Sequence, residues 1–147
     1  MKRMIIAGYG PVGRAVADSL AGRGVHITLV DTNPGTVRAQ TLLGRDIIHG
    51  DATDPEVLTA AGVRDADAII ITIPDPEAAI RACRAARDLS PNIFIATRTG
   101  HLSQAIQAHQ VGADSVTIEE IATAEAMARA VTARLATLGR LPCEGAD

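Results

Sequence analysis

Short apolar runs and longer amphipathic stretches alternate along the whole chain. The apolar runs are rich in Ile and Val, whereas the stretches between them are rich in Ala and Leu with apolar positions at helical spacing. This alternation indicates repeated strand–helix units, which build a parallel sheet covered by helices. Strands are predicted at about Arg3–Ala7, Val25–Val30, Asp46–His49, Ala68–Thr72, Asn92–Ala96 and Ser115–Thr117, each followed by a helix.

Capping residues, prolines and glycines mark the predicted helix ends. A capping side chain stands directly before a proline at Asn33-Pro34, Asp54-Pro55 and Asp75-Pro76, which predicts three helix starts. Helix ends are predicted at Gly22 and Gly24, Gly44, Gly62, Ser90-Pro91 and Gly112. The elements form one predicted domain at 1–139, followed by a flexible tail at 140–147.

The last predicted helix, at about 119–138, carries a narrow apolar seam. Its members recur at alternating helical steps: Ile121, Ala124, Ala128, Val131, Leu135 and Leu138. This seam either packs on the sheet of the same chain or is exchanged or paired across a dimer. The pattern by itself leaves both interpretations open.

Composition and charge limit the classes of function. Hydrophobic residues make up 47% of the chain and aromatic residues 1%, so it lacks the aromatic platform of most single-strand nucleic-acid binders. The net charge of -3 is spread without a block of like charge, which argues against DNA binding and a polybasic membrane anchor. No apolar run approaches the roughly 20 residues of a membrane span. Small molecules and protein are the expected partners, and nucleic acid is not.

Neither an export signal nor a metal site is predicted. Met1 leads into a strand without an apolar signal region, so we expect a cytosolic location. Cys83 falls within an Ala-rich helix and is interpreted as a buried, reduced thiol, while Cys143 lies in the predicted tail. The four histidines show no metal-ligand spacing.

A glycine loop follows the first strand, with the sequence Gly8-Tyr9-Gly10-Pro11-Val12-Gly13. Gly8 permits a tight turn, Gly10 lets the backbone approach a pyrophosphate, and Gly13 allows close packing of helix against strand. The N–H groups at the start of the following helix face the phosphates. Arg14 either adds a cation there or is an ordinary solvated charge. The predicted fold is therefore α/β, a Rossmann-type doubly wound six-stranded parallel sheet of order 3-2-1-4-5-6 with helices on both faces.

Asp31 closes the second strand, where a carboxylate can accept hydrogen bonds from both hydroxyls of an adenosine ribose. It would repel a 2′-phosphate, and Thr32-Asn33-Pro34 after it offers no arginine to hold one. NAD or an adenine nucleotide is therefore favoured over NADP.

Further candidates lie at the ends of the later strands. Asp51 and Ala52 are expected beside the adenine, although Asp51 could equally bond its own backbone in the loop. Thr72-Ile73 lies across from the glycine loop, while the nearby Asp75 is primarily a helix cap. Arg98 either binds a ligand phosphate or anionic effector or forms a plain surface salt bridge.

Several motifs together resemble one family. They are Ile5-Ile6-Ala7-Gly8-Tyr9-Gly10-Pro11-Val12-Gly13-Arg14, Leu29-Val30-Asp31, Gly50-Asp51-Ala52-Thr53, Ala68-Ile69-Ile70-Ile71, Ile95-Ala96-Thr97-Arg98 and Gly112-Ala113-Asp114. This set closely resembles the TrkA N-terminal domain, also called the regulator of conductance of potassium domain. The segment from Leu135 to Pro142 is most similar to the cytosolic tails of Kef-type monovalent cation:proton antiporters.

The resemblance implies a regulatory module and gives its residues roles. It assigns the phosphates to the glycine loop, the ribose to Asp31, the adenine edge to Asp51 and Ala52, and an effector or phosphate contact to Arg98. It also implies binding of NAD(H), AMP, ADP or ATP, dimerisation, and control of an attached or associated membrane channel or antiporter. That partner would place the chain on the cytoplasmic side of an inner membrane, with glutathione as an additional effector in the Kef-type branch.

The preferred function is thus a non-catalytic nucleotide sensor, either excised from a longer protein or a free-standing subunit. The alternative is an NAD-dependent oxidoreductase or the coenzyme-binding fragment of a larger dehydrogenase. Against an enzyme, the only tyrosine is Tyr9 in the glycine loop, so a Tyr-x-x-x-Lys pair is excluded. The predicted elements also leave no second domain for a substrate.

Overall fold

The chain alternates strands and helices from its first residues onward in a computed structural model that describes residues 1–142. The strands are β1 (Lys2–Ala7), β2 (Val25–Asp31), β3 (Asp46–His49), β4 (Ala68–Ile71), β5 (Phe94–Thr99) and β6 (Ser115–Ile118). The helices are α1 (Pro11–Leu20), α2 (Pro34–Leu42), α3 (Pro55–Ala60), α4 (Pro76–Leu89), α5 (Leu102–Gln110) and α6 (Glu119–Thr137). Residues 143–147 of the predicted tail, including Cys143, lie outside the described residues.

The six strands form one parallel sheet in the order β3-β2-β1-β4-β5-β6, which confirms the predicted fold class and topology. Strand β5 differs from its predicted position at Asn92–Ala96. A turn in which the Ile93 N–H donates to the Ser90 carbonyl delays its start, and pairing with β6 extends it to Thr99. Arg98 is therefore part of the strand.

The predicted capping side chains begin their helices. Asn33 accepts hydrogen bonds from the N–H groups of Gly35 and Thr36, and Asp54 accepts one from Glu56. Asp75 does the same at the start of α4. Each cap uses a local contact within one helical turn, which is why the sequence reveals it.

The main core lies between the sheet and α3, α4 and α5. Helix α4 presents Ala79, Ala82, Cys83 and Ala86 to the sheet, and all four are completely buried. Such small side chains let the helix lie close to the strands. Cys83 is a buried free thiol as predicted, and burial raises its pKa to about 11.

Three aspartates close the amino edge of the sheet, and each is paired with a basic side chain. Asp67 binds the Lys2 ammonium at 2.8 Å and accepts the Arg3 N–H. Asp114 binds Arg87 at 2.9 Å and accepts the Ile95 N–H, which anchors β6 to β5. Asp46 lies 3.0 Å from the His26 ring. The Gly112-Ala113-Asp114 motif thus has a structural role at this edge.

Helix α6 leaves the sheet after β6 and buries none of its residues. Its large apolar side chains Ile121, Met127 and Val131 are each about half exposed or more. Packing of this seam on the sheet of the same chain, one of the two predicted alternatives, is therefore not observed. Within residues 1–142, no helix has the length and apolar character needed to cross a bilayer.

Candidate functional site

A cleft of about 540 Å³ opens at the carboxyl edge of the sheet, between the ends of β1 and β4. The strand order reverses at this point, which is where doubly wound sheets bind ligands. The cleft gathers all the predicted site residues except Arg14. They are Gly8, Tyr9, Gly10, Pro11, Val12, Gly13, Asp31, Thr32, Asp51, Ala52, Thr72, Ile73 and Arg98.

The three glycines of the loop meet different constraints. Gly8 has a φ of +101°, a conformation that favours glycine, and a Cβ on Gly13 would overlap the Gly8 carbonyl oxygen. A Cβ on Gly10, by contrast, would meet no protein atom within 4 Å, and its φ of -81° suits any residue. The fold therefore requires Gly8 and Gly13, whereas at Gly10 a side chain would extend into open space beside the cleft.

Helix α1 begins at this loop without a side-chain cap. Gly10 occupies its N-cap and Pro11 its first position, so the next N–H groups, at Val12 and Gly13, have no capping partner. Helices α2, α3 and α4 are instead capped by Asn33, Asp54 and Asp75. The start of α1 is thus free to donate hydrogen bonds to an anion.

Asp31 holds the loop from the end of β2. Its Oδ2 accepts the Tyr9 N–H at 2.8 Å and its Oδ1 accepts the Asn33 N–H at 2.7 Å. Each carboxylate oxygen has capacity for a further hydrogen bond. No salt bridge among the described residues involves Asp31, so no basic side chain is paired with its carboxylate.

Arg14 does not reach the cleft because Tyr9 attracts it. The Tyr9 ring is buried behind the loop, and the Arg14 guanidinium lies 5.3 Å from the ring centroid with Nε 3.4 Å from the Tyr9 carbonyl oxygen. Arg45 lies 5.5 Å from the same centroid and donates to the Tyr9 hydroxyl. The suggested phosphate cation is therefore an aromatic contact that supports the loop from behind.

Asp51 forms the predicted turn within its own loop and also lines the cleft. Its Oδ1 accepts the N–H and the hydroxyl of Thr53, each at 2.8 Å, which is a turn within its own loop. These two bonds, the backbone one foremost, hold the pKa of Asp51 below its usual value. Asp51 and the buried Ala52 line the cleft as well.

Thr72 fastens β4 to the glycine loop. Its buried hydroxyl lies 2.6 Å from the Gly8 carbonyl oxygen and 3.2 Å from that of Ala7. The Thr72 carbonyl in turn accepts the Arg98 Nε–H at 3.0 Å. Sequence reasoning placed Thr72 at the site but missed this tie, because its partners lie more than sixty residues away.

Arg98 links the cleft to the last helix. While its Nε is held by Thr72, its Nη1 lies 3.3 Å from Glu119 Oε1, the first residue of α6. The predicted salt bridge is therefore present, and the same guanidinium lines the cleft. The two interpretations of Arg98 are compatible.

Four further lining residues were not among the predicted site residues: Val30, Gly50, Pro74 and Ala78. Gly50 and Pro74 adjoin predicted residues, and Val30 directly precedes Asp31, so sequence neighbourhood could have indicated them. Ala78 lies in the first turn of α4 and its small size is its only signal. Within residues 1–142, no three His, Cys, Asp or Glu side chains gather to form a metal site.

Comparisons with known proteins agree with this geometry. Residues 4–119 match the TrkA-N domain. A putative K(+) efflux antiporter KefB of Alkalimonas amylolytica is 32% identical over 120 residues, which cover 82% of this chain and 18% of that protein. The Kef CTD of Shewanella denitrificans in its AMP-bound form is 29% identical with a TM-score of 0.79, covering 94% of this chain and 82% of that one. The GsuK channel bound to NAD is 27% identical with a TM-score of 0.79, covering 91% and 24%.

Proposed function

The chain belongs to the TrkA-N domain family, and from this premise we propose that it is a regulatory nucleotide-binding domain of a cation transporter. It binds NAD(H) or an adenine nucleotide (AMP, ADP or ATP) in the cleft at the carboxyl edge of the sheet. The bound state then gates a potassium or other monovalent-cation channel or antiporter, most closely one of the Kef type. It acts on the cytoplasmic side of an inner membrane, as part of the transporter or associated with it.

One observation carries the nucleotide assignment: the uncapped start of α1 and the carboxylate of Asp31, which has no basic side chain paired with it, face the same cleft. The N–H groups of Val12 and Gly13 suit a phosphate, and Asp31 suits the two hydroxyls of a ribose. The open space at Gly10 lets a pyrophosphate approach the backbone. The AMP and NAD found with the related proteins support the same ligand class.

The transporter assignment is supported by the relatives. The chain spans about 18% of the length of the Kef antiporters that it matches, so those proteins contain much more than this domain. A ligand gates such a partner only through its different affinities for two conformations. The domain must therefore have a second contact surface besides the cleft.

Helix α6 offers that surface, and the proposed assembly is a homodimer. Ile121 and Val131 of the predicted seam are exposed along a helix that buries nothing in its own chain. Two copies of such a seam can cover each other around a twofold axis. We expect Val131→Asp to convert a dimer into a monomer in sedimentation velocity, whereas the exposed Thr132, next to it and outside the seam, tolerates the same substitution. An unchanged oligomeric state in Val131→Asp would contradict the assignment.

A regulatory role is favoured over catalysis by the groups around the cleft. The ionisable residues that line it are Tyr9, Asp31, Asp51 and Arg98. Asp31 and Asp51 accept hydrogen bonds that hold loops, Arg98 is held by Thr72 and Glu119, and the Tyr9 hydroxyl is held by Arg45. The lining among residues 1–142 contains no histidine or lysine that could serve as a proton donor for hydride transfer.

Calorimetric titration of the chain with NADH, NAD, AMP and ATP tests the binding step. At least one is expected to bind, and Asp31→Asn is expected to weaken it about tenfold or more, because it removes the negative charge and replaces one of the two acceptor oxygens with a donor. Asp54→Asn is the matched control, because asparagine caps α3 as well as aspartate does. Failure of all four nucleotides to bind, or equal effects of the two variants, would contradict the proposal.

Gating is tested by co-expression of the chain with a Kef-type antiporter membrane domain in bacteria that lack their own potassium-efflux systems. Potassium loss from the cells is expected to depend on the chain and to respond differently to wild type and Asp31→Asn. A rate of potassium loss that is independent of the chain would contradict the transporter assignment while leaving nucleotide binding intact.

A further inference from the structure

We propose that Arg98 and Glu119 form a switch that the phosphates of the bound nucleotide open, releasing the first turn of α6. The inference rests on the proposed function, since it names how the state of the cleft reaches the surface that contacts a partner. It is carried by one juxtaposition: a guanidinium that lines the cleft is paired with the residue that begins the unpacked helix.

The sheet itself brings this pair together. Arg98 in β5 lies beside Thr117 in β6, and Glu119 follows directly after the end of that strand. The Nε of Arg98 is fixed on the Thr72 carbonyl, so the Nη1 on Glu119 is the end that can change partner. The Thr72 hydroxyl also donates to the Gly8 carbonyl, so Thr72 contacts both the Arg98 guanidinium and the glycine loop.

A nucleotide phosphate is a stronger partner for Arg98 than Glu119 is. Glu119 is 45% exposed and approaches Nη1 only to 3.3 Å, which describes a solvent-weakened ion pair. A phosphate presents several charged oxygens to the planar guanidinium and is held in place by the rest of the ligand. Binding of a phosphate-bearing ligand therefore draws Arg98 from the helix toward the cleft.

Helix α6 is sensitive to this exchange because little else holds it to the domain. Its described hydrogen bonds and ion pairs to the rest of residues 1–142 fall in the first turn. Besides the Arg98 pair, the Glu120 N–H donates to the Gly100 carbonyl at 3.3 Å and His101 lies 3.3 Å from Glu120. No side chain caps its start. Loss of the Arg98 contact removes the only strand-to-helix ion pair on the cleft side of that turn among residues 1–142.

The full chain tests the switch through ADP affinity. Because Glu119 competes with phosphate for Arg98, Glu119→Gln is expected to tighten ADP and NADH binding by about two- to fivefold. Adenosine, which lacks phosphate, is expected to bind both proteins equally. Glu120→Gln is the matched control, since it removes the same charge from the next residue, whose partner is His101, and it is expected to leave ADP affinity unchanged.

Hydrogen exchange of the amides at 122–124 provides the second readout. ADP is expected to accelerate exchange there in wild type and in Glu120→Gln, whereas in Glu119→Gln exchange is already fast and does not respond. Adenosine is expected to have no effect in any of the three proteins. In an Arg98→Gln background, Glu119→Gln is expected to change neither ADP affinity nor the exchange rate.

Different outcomes would contradict the switch alone or the proposed nucleotide binding as well. Binding of ADP with equal affinity by wild type and Glu119→Gln, or equal effects of Glu119→Gln and Glu120→Gln, would overturn the switch and leave the proposed function standing. Unchanged exchange at 122–124 on ADP binding to wild type would also overturn it. Absence of any binding of ADP and NADH to the wild-type chain would overturn the proposed function together with the switch.

Discussion

The two edges of the sheet use the same side chain in opposite ways. At the amino edge, Asp67 and Asp114 each accept a backbone N–H from the neighbouring strand and also bind a cation. At the carboxyl edge, Asp31 accepts two backbone N–H groups in the same manner, yet none of the described salt bridges reaches it. The aspartates Asp67 and Asp114 at the amino edge are thus paired with cations, whereas Asp31 at the carboxyl edge is not.

The difference separates a carboxylate that holds the fold from one that, on the proposed function, also binds a ligand. Lys2 and Arg87 neutralise their partners and leave little reason for another molecule to bind there. The hydrogen bonds described for Asp31 come from the N–H groups of Tyr9 and Asn33, and none comes from a basic side chain. A ligand with hydroxyl donors and phosphate acceptors matches this distribution of charge.

The largest expected effect comes from two glycines of the carboxyl edge, one that the fold requires and one that is proposed to serve the ligand. Gly13→Ala places a Cβ against the Gly8 carbonyl and is expected to cost about 3 kcal/mol or more of unfolding free energy. Gly10→Ala is expected to change stability by less than about 0.5 kcal/mol while weakening nucleotide binding. Chemical denaturation and calorimetry measure the two quantities. Similar losses of stability in both variants would break the distinction between the glycines.

An intermediate effect is expected when the same change, aspartate to asparagine, is made at each edge of the sheet. Asp114→Asn and Asp31→Asn each remove a charged acceptor of backbone N–H groups, so each is expected to cost about 1–2 kcal/mol of stability. Only Asp31→Asn is expected to reduce the rise in Tm that nucleotide causes in the wild type. An undiminished nucleotide-induced rise in Asp31→Asn, or a reduced one in Asp114→Asn, would contradict this assignment of the edges.

The smallest expected effect concerns the exposed pair at the amino edge. The hydrogen bond from Lys2, followed by that from the Arg3 N–H, lowers the pKa of Asp67 below its usual value of 3.8. Because the folded-state pKa is lowered, the contribution of Asp67 to stability is present above pH 3.8 and is lost as the pH falls through the folded value. Lys2→Ala is expected to raise the pKa of Asp67 toward 3.8 in an NMR titration. Lys2→Arg is the control that keeps the cation, and an unchanged pKa in Lys2→Ala would show that the pair has no electrostatic effect.

Local patterns made most of the fold predictable. The caps at Asn33, Asp54 and Asp75 act within one helical turn. The six strands follow from short apolar runs, whose length favours a strand over a helix. The end of β5 was less predictable because pairing with β6 decides it, and a partner strand is not visible in local sequence. The placement of α6 was open for the same reason, since a seam has the same spacing whichever surface it covers.

The sequence predicted which residues line the cleft better than it predicted the contacts that they make. The position of a residue at a strand end indicates that it faces the cleft, as for Asp31, Asp51 and Thr72. Which atoms it then contacts depends on neighbours far away in sequence. Arg14 turns to the Tyr9 ring and Arg98 divides its donors between Thr72 and Glu119, and neither choice follows from spacing.

The hydrogen bond from Thr72 to the Gly8 carbonyl also sets an order of events during synthesis. The glycine loop lies near the start of the chain, but the hydroxyl that fastens it directly follows the fourth strand. A nascent chain that has left the ribosome only as far as α3 therefore carries the complete glycine loop without the strand that braces it. We expect a nucleotide to stabilise the domain only after about half of it has been made.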